Sequence, residues 1–444
     1  MRRVAGVGLL VGILVALGGC TGDSGSGTAG PDASSSATMS AIPSVTPGGA
    51  RTAAAALRAL CVAPTLQPGN VQPTGDTPPE IAQLESEVEQ VRGLDYLHPV
   101  AVQAISDQEM DQKLEAAFDD AYPVEYYARR SAAWRTLGVL PPGADLRESL
   151  RAFLTGQVVG FYDQETGELV FRGEGDLGLT ERLTLAHELT HALDDQHFEL
   201  KRLDAMAAGC RDEDFAAALG LIEGSAQYYS TRALIRFPPS LGLGDIAGAL
   251  SDALTSEQGL AGVPPFVQEL ALWPYTAGQT FVTQIAARGG DAAVDRAFED
   301  LPRTTEQVIH PDAYPGDVPS KVDIPDLTGT LGSAWGDLDA MQVGEEWLRA
   351  MLALRLDDAT ADTAAAGWDG GVYRAWSDGT GVAVVLRTAW DSPEEAAAFA
   401  EAMTAWIDAD AGAAAVLPPS GDRVSVVFAT SDALVQTLTA GLVG

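Results

Sequence analysis

One short run constrains this chain more than any other: Leu185-Ala-His-Glu-Leu-Thr-His-Ala-Leu-Asp-Asp-Gln-His197. It contains the spacing H-E-x-x-H, formed by His187, Glu188 and His191. In an α-helix, residues four apart lie on the same face, so the two imidazoles would be one turn apart. They could then bind one Zn2+ ion, with the glutamate beside them as a general base acting on water. The alternative is a polar surface helix with incidental histidines.

A catalytic zinc site needs a third protein ligand, and two residues are candidates. His197 lies six residues after His191, which is the histidine spacing of the metzincins, but the metzincin pattern has glycine where this chain has Asp194. Glu223 is the other candidate, and we favour it, because a lone carboxylate in an apolar segment is costly without a cation or metal partner. The apolar neighbours of Glu223 are Leu219, Leu221, Ile222 and Ala226.

The segment Glu223-Gly224-Ser225-Ala226 resembles that of the gluzincins, zinc peptidases whose third ligand is a glutamate on a later helix, often followed by Gly-x-Ala. The resemblance implies His187, His191 and Glu223 as zinc ligands and Glu188 as the general base. Many gluzincins also carry aspartate four residues after the ligand, where this chain has Gln227. Asp194 or Asp195 could instead support a zinc histidine.

A wider resemblance links the chain to a set of bacterial exported proteins of unassigned function. It covers three segments: residues 187–198, residues 223–226, and the stretch P-x-T-T-E-Q-x-x-H-P-x-x-Y at 302–314. Because hydrolysis needs a hydrogen-bond donor for the oxyanion, His310 and Tyr314 are candidate catalytic residues. A packed His-Pro turn is the competing interpretation of this stretch. Tyr228 and Tyr229 are weaker candidates for the donor.

The N-terminus has the organisation of a targeting segment. A basic start, Met1-Arg-Arg3, precedes a small apolar run that ends in Leu17-Gly-Gly-Cys20. This end resembles a bacterial lipobox, which implies a signal peptide at 1–19 and lipid attachment at Cys20. We therefore expect a lipid-anchored protein on the extracytoplasmic face of the cell membrane, with residues 20–75 as a flexible tether. Ordinary secretory cleavage or an uncleaved anchor are the alternatives.

The remaining two cysteines and the charge limit the environment and partners of the chain. In an exported protein, Cys61 and Cys210 are expected to form a disulfide, the alternative being two buried thiols. The formal net charge of −35 argues against a nucleic-acid partner, because phosphates would be repelled.

The patterning predicts an α+β fold with two folded units. Residues 76–335 are expected to form a mainly helical, zincin-like catalytic domain, with strands at 157–162 and 168–172 before a zinc helix capped by Thr180. An exposed edge strand of this hairpin could align a substrate backbone, or the hairpin could only pack against the helix. The residues 272–275, Leu-Trp-Pro-Tyr, are predicted to form a turn. Residues 336–444 are expected to form a small α+β domain that begins with a helix at 338–356.

Taken together, these features predict a membrane-tethered zinc metallopeptidase that hydrolyses a peptide or protein substrate. The alternative is a non-catalytic envelope lipoprotein that uses a zinc-peptidase-like fold for binding. The sequence sets neither the substrate preference nor the oligomeric state.

Overall fold

The computed structural model describes residues 42–43, 53–62, 78–164, 166–172, 177–238, 260, 262–410 and 412–443. The signal segment 1–19, Cys20 and most of the tether therefore lie outside the described residues. The fold is α+β, as the sequence predicts. Among the described residues, no helix is long and apolar enough to cross a membrane.

The N-terminal and central part of the chain is mainly helical. Its first five helices are α1 (Ala53–Leu60), α2 (Pro79–Arg92), α3 (Asp107–Ala121), α4 (Val124–Leu137) and α5 (Leu146–Gln157). The following helices are α6 (Leu179–Phe198), α7 (Arg202–Ala208), α8 (Asp212–Arg236), α9 (Pro265–Gly289), α10 (Asp291–Glu299) and α11 (Thr305–Ile309). The three strands are β1 (Ala101–Ile105), β2 (Gly160–Asp163) and β3 (Glu168–Arg172).

Local sequence signals explain several of these boundaries. Ser106 and Glu109 form a capping box at the start of α3, and the Asp145 side chain accepts the backbone N–H of Glu148 at the start of α5. The prediction that Thr180 caps the zinc helix is wrong. Helix α6 begins one residue earlier, at Leu179, after an extended Gly178 that makes no side-chain cap.

The first sheet has the order β1-β3-β2 and packs against α6. Strand β3 is central and its residues Leu169, Val170 and Phe171 are buried. Strand β2 pairs antiparallel with β3 and is an edge strand of this sheet. The predicted hairpin therefore precedes the helix of His187, and the free edge of β2 runs beside that helix.

Helices α8 and α9 cross in very close contact because glycines meet at the crossing point. A Cβ atom added to Gly224 would lie 2.2 Å from the carbonyl carbon of Gly278. The predicted turn at 272–275 is wrong, because α9 runs through Pro274. A proline inside a helix costs about 3 kcal/mol, and burial of Trp273 and Tyr275 on either side of it offsets that cost.

The C-terminal part of the chain forms a five-stranded antiparallel sheet of order β4-β5-β6-β8-β7. The strands are β4 (Gly336–Gln342), β5 (Trp368–Ser377), β6 (Val382–Trp390), β7 (Ala414–Val416) and β8 (Arg423–Ala429). The helices are α12 (Thr328–Leu331), α13 (Glu345–Ala353), α14 (Asp358–Ala365), α15 (Pro393–Asp408) and α16 (Asp432–Val443). The helix expected at 338–356 is wrong in its first part, because 336–342 is strand β4 and α13 starts only at Glu345.

Both faces of this sheet are covered. Along β6, Val384 and Leu386 point into a core shared with α13 and α15, whereas Ala383 and Val385 point into a core shared with α16. Continuous apolar strands of this kind are typical of sheets buried on both sides. The second face also receives Leu57 of α1.

Part of the predicted tether is folded onto the rest of the protein. Helix α1 contacts β4 and β5, and the residue after it, Cys61, forms a disulfide bond with Cys210 at the start of α8. The two sulfur atoms are 2.08 Å apart. The disulfide therefore fixes the N-terminal segment to the helix that carries Glu223.

Candidate metal centre

Three predicted ligands meet at the contact between α6 and α8. The Nε2 atom of His187 lies 3.1 Å from Oε2 of Glu223 and 3.1 Å from Nε2 of His191. The third side of the triangle, from Nε2 of His191 to Oε2 of Glu223, is 3.3 Å. All three residues are buried, with exposed fractions of 4%, 1% and 0% for His187, His191 and Glu223.

The size of this triangle fits one zinc ion. Zinc–nitrogen and zinc–oxygen bonds of about 2.0–2.1 Å in a tetrahedral arrangement separate the ligand atoms by about 3.3–3.4 Å. The observed separations of 3.1 to 3.3 Å are close to that value. Within the described part of the chain, this triangle is the one group of three or more His, Cys, Asp or Glu side chains whose ligand atoms lie close enough together to hold a metal ion.

The same contact accounts for the protonation state of Glu223. Burial raises the pKa of its carboxyl, but attraction and hydrogen bonds from His191 and His187 lower it, so the pKa lies below the ordinary value of 4.5. A carboxylate that stays ionised in an apolar helix interface is suited to binding a cation.

Glu188 lies next to the ligands and is also buried, with 3% of its surface exposed. Its Oε2 atom accepts a hydrogen bond of 2.8 Å from the backbone N–H of Tyr162 in β2. Burial raises the pKa of Glu188 to about 8, Glu223 adds to the rise, and His187 and the Tyr162 amide oppose it. A divalent cation at the ligand triangle would lower this pKa by attraction.

This hydrogen bond also bears on the predicted edge strand. The Tyr162 N–H points away from β3 and towards α6, where Glu188 occupies it. The strand therefore orients the Glu188 carboxylate. The alignment of a substrate along β2 stays a prediction.

The expected carboxylate support for the zinc histidines is wrong. Asp194 accepts hydrogen bonds from Arg92 and Ser225, both at 2.7 Å. Asp195 accepts from the Tyr162 hydroxyl and from the Leu200 N–H. Among the described residues, the buried Nδ1 atoms of the two zinc histidines have no hydrogen-bond partner.

Arg92, which the sequence analysis did not single out, anchors the back of α6. It is fully buried and donates to Asp194 and, at 2.7 Å, to Asp295 of α10. Its guanidinium lies 4.8 Å from the ring centre of Tyr229 on α8. The pair Asp194–Arg92 therefore holds α6 against its neighbours.

His197 lies away from the metal ligands. Helix α6 continues through Phe198, and six residues at about 100° each rotate His197 by roughly 240° from His191. Its Nε2 contacts the carbonyl oxygen of Asp95 at 2.8 Å. The helix continuation that Asp194 predicted, in place of the metzincin glycine, explains this position.

His310 and Tyr314 have other partners. His310 contacts Glu345 of α13 at 2.9 Å, and this hydrogen bond raises the pKa of the imidazole. The Tyr314 hydroxyl donates to the carbonyl oxygen of Asp300 at 2.6 Å. These contacts agree with the packed His-Pro turn.

The weaker donor candidates are also engaged elsewhere. The Tyr228 hydroxyl accepts from Arg232 at 3.1 Å, and the Tyr229 hydroxyl donates to Asp291 at 2.8 Å. Neither hydroxyl contacts a predicted metal ligand in the described structure.

Tyr275 is a site residue that the sequence analysis missed. Its ring stacks on His187, with ring centres 5.9 Å apart and planes at 28°, and it is 5% exposed. Pro274 suggested a turn and so concealed the helix. Tyr275 and Gly278 are three residues apart on α9, so the glycine contact with α8, which only the tertiary structure shows, brings Tyr275 to the same interface.

The segment 302–314 joins the metal-bearing helices to the C-terminal unit. Glu213 of α8 accepts hydrogen bonds from the N–H and hydroxyl of Thr305. The Thr305 hydroxyl in turn accepts the N–H of Glu346 in α13. With the His310–Glu345 contact, these bonds give the segment a structural role between two units.

Comparison with known proteins concerns only the C-terminal unit. A family model described as a domain of unknown function (DUF8575) matches residues 331–438, so the metal ligands lie outside the matched range. No curated protein and no solved structure matches the chain.

Proposed function

We propose that this chain is a zinc-dependent metallopeptidase that hydrolyses peptide bonds of a peptide or protein substrate. We further propose that a lipid on Cys20 tethers it at the extracytoplasmic face of the cell membrane. The observation that carries the enzymatic part is the triangle of His187, His191 and Glu223, with the Glu188 carboxylate beside it.

In this proposal, His187, His191 and Glu223 hold Zn2+. When bound, the ion would act as a Lewis acid that polarises a substrate carbonyl and makes water a stronger nucleophile. Three protein ligands are typical of catalytic zinc, whereas structural zinc has four.

Glu188 acts as the general base and then as the general acid. It takes a proton from the attacking water and passes that proton to the leaving amine nitrogen as the C–N bond breaks. The Tyr162 N–H on Oε2 fixes the orientation of the carboxylate.

Tyr275 is our candidate for the hydrogen bond to the developing oxyanion. Its ring contacts His187, whereas the polar atoms of His310 and Tyr314 bind Glu345 and Asp300. Donors of this kind contribute to catalysis because they are oriented before charge develops.

The deciding experiment measures zinc content and peptide hydrolysis together for the full chain and three variants. Glu188→Gln should keep about one zinc per chain and lose at least about a hundredfold in kcat. His187→Ala and Glu223→Ala should lose zinc and activity together. Full activity in Glu188→Gln would contradict the mechanism.

The same measurements separate the alternative, a binding lipoprotein. Zinc bound by the wild type without hydrolysis of any peptide in a broad library would favour binding. If His197→Ala lost its zinc and Glu223→Ala kept it, the assignment of Glu223 as the third ligand would be contradicted. Membrane release on Cys20→Ala, by detergent partitioning, tests the tether.

A further inference from the structure

A cavity of about 270 Å³ lies between the metal-bearing helices and the C-terminal unit. Helices α4, α5, α8, α9 and α13 all contribute to its wall. The wall is mostly apolar, and its large rings include Phe118, Tyr127, Trp134, Phe153, Trp273 and Trp347. A concave apolar space of this size is typical of a site for an apolar ligand group.

The charged groups named here in the wall already have hydrogen-bond or ion-pair partners. Arg130 forms ion pairs with Asp339 at 3.2 Å and with Asp212 at 3.3 Å. Glu213 accepts from Thr305, as described above, and Glu346 pairs with Arg349 at 2.8 Å. The cavity therefore suits an apolar group better than a charged one.

The cavity and the metal centre share two helices. On α8, Leu219 lines the cavity and Glu223 follows one turn later, which is about 6 Å along the helix. On α9, Pro274 lines the cavity and the next residue, Tyr275, stacks on His187.

We propose that this cavity, which shares α8 and α9 with the ligand triangle, binds a large apolar side chain of the substrate, aromatic or branched aliphatic. The inference rests on the proposed peptidase function, whose substrate class it names. It also gives the C-terminal unit a role, because Met341 and Trp347 complete the cavity wall.

A peptide-library digest tests the proposal directly. Ala216 lines the cavity on α8, so Ala216→Phe should fill part of it. We expect kcat/KM to fall about ten- to a hundredfold for peptides with Phe, Trp or Leu at the selected position. Peptides with Gly or Ala there should change less than about twofold, because they leave the cavity empty. The control is Ala287→Phe, the same substitution at an exposed position of α9.

A second variant guards against misfolding of the first. Phe215→Ala removes a ring from the cavity wall and so enlarges the cavity. The substrate preference should then move towards larger side chains, with Trp gaining over Leu. Unchanged selectivity in both folded variants, judged by thermal unfolding, would overturn the inference.

A binding measurement keeps this inference separate from the proposed chemistry. Peptides selected from the library would be titrated against the full chain carrying Glu188→Gln, with and without Ala216→Phe. If Ala216→Phe abolishes peptide binding, the inference about the cavity is supported. A wild type that binds these peptides but hydrolyses none of them would contradict only the peptidase proposal. Hydrolysis without any preference for apolar residues would overturn the cavity assignment and leave the peptidase proposal standing. A free aliphatic amphiphile that binds the cavity without competing with peptides would also overturn it.

Discussion

The metal centre and the C-terminal sheet both bury charged side chains, but they neutralise the charge differently. In the sheet, the fully buried Arg374 pairs with Asp337 at 2.6 Å and with Asp326 at 3.4 Å. At the metal centre, Glu188 and Glu223 are equally buried, yet among the described residues neither forms an ion pair with lysine or arginine. A buried carboxylate without a cation is costly, so this difference supports the proposal that the ligand triangle binds a metal ion.

The largest effect is expected where the sheet loses its internal cation. Arg374→Ala removes the fully buried guanidinium that pairs with Asp326 and Asp337, and it should lower the free energy of unfolding by about 3–5 kcal/mol. Urea unfolding measures this loss, which should be the same with and without a chelator. The control is Arg423→Ala, since Arg423 pairs with Asp422 at the surface and should contribute about 1 kcal/mol or less. If the loss of unfolding free energy changed with chelator, Arg374 would not be the cation that neutralises these aspartates.

The metal centre should behave in the opposite way. At free zinc about a thousand times its Kd, zinc should stabilise the wild type by about 4 kcal/mol relative to the chelated protein. Glu223→Gln should lose most of this increment, because one of three ligands is removed. Zinc-dependent unfolding curves of the two proteins give the measurement. An equal zinc increment in both would show that the ion binds elsewhere.

The two tyrosines that compete for one catalytic role sharpen the comparison further. If Tyr275 donates to the oxyanion, Tyr275→Phe should lower kcat about 10²- to 10³-fold. Tyr314→Phe should leave kcat within about twofold, because its hydroxyl binds the Asp300 carbonyl. Steady-state kinetics at fixed zinc occupancy distinguishes them. The reverse order of effects would restore the prediction made from sequence.

The metal centre was the easier region to predict from sequence, for a physical reason. Helix geometry alone places His187 and His191 on one face, and a carboxylate among apolar neighbours marks Glu223. Tyr275 was not predictable in the same way, since Pro274 ordinarily interrupts a helix and the glycine contact that brings α9 against α8 involves two separate elements. Long-range packing of this kind is absent from local sequence patterns.

The C-terminal unit shows the same limit. Strand β4 was predicted as helix, although Leu338 and Ala340 alternate with acidic residues, because 338–356 also contains a true helix. The N-cap of α6 is Gly178, two residues before the predicted Thr180, and a glycine cap has no side chain that could mark it in the sequence. The partners of Asp194 and Asp195 depend on α2 and β2, which are distant in sequence. Such pairings follow from tertiary structure.

The crossing of α8 and α9 provides a smaller test of how Tyr275 reaches the metal centre. Gly224→Ala places a methyl group against the backbone of Gly278 and should destabilise the protein by about 1–3 kcal/mol. Gly329→Ala is the matched control, because a Cβ there meets nothing within 4 Å. Thermal unfolding and kcat should fall together for Gly224→Ala if the crossing positions Tyr275. A normal kcat in Gly224→Ala would show that the close crossing of α8 and α9 is not needed for catalysis.

Glu213 shows a third way to bury a carboxylate, and its expected effect is a change in how stability depends on pH. Within the described structure it forms no ion pair, and its Oε1 accepts from the N–H and hydroxyl of Thr305. Burial raises its pKa to about 7 from an ordinary value of 4.5, although the Thr305 bonds oppose the rise. The folded state therefore binds this proton more tightly than the unfolded state. The contribution to stability is complete below about pH 4.5 and is lost as pH rises to about 7, with a slope of at most ~1.4 kcal/mol per pH unit.

Glu213→Gln should flatten the stability profile across that interval, which urea unfolding at a series of pH values measures. Glu306, whose pKa burial raises to about 9, lies in the same junction and keeps its own slope at higher pH, so Glu306→Gln is the matched comparison. An unchanged slope in Glu213→Gln would mean that the Thr305 donors keep this carboxylate ionised. Hydrogen bonds to uncharged groups would then suffice for a buried carboxylate, and the absence of arginine at Glu223 would no longer indicate a metal ion by itself.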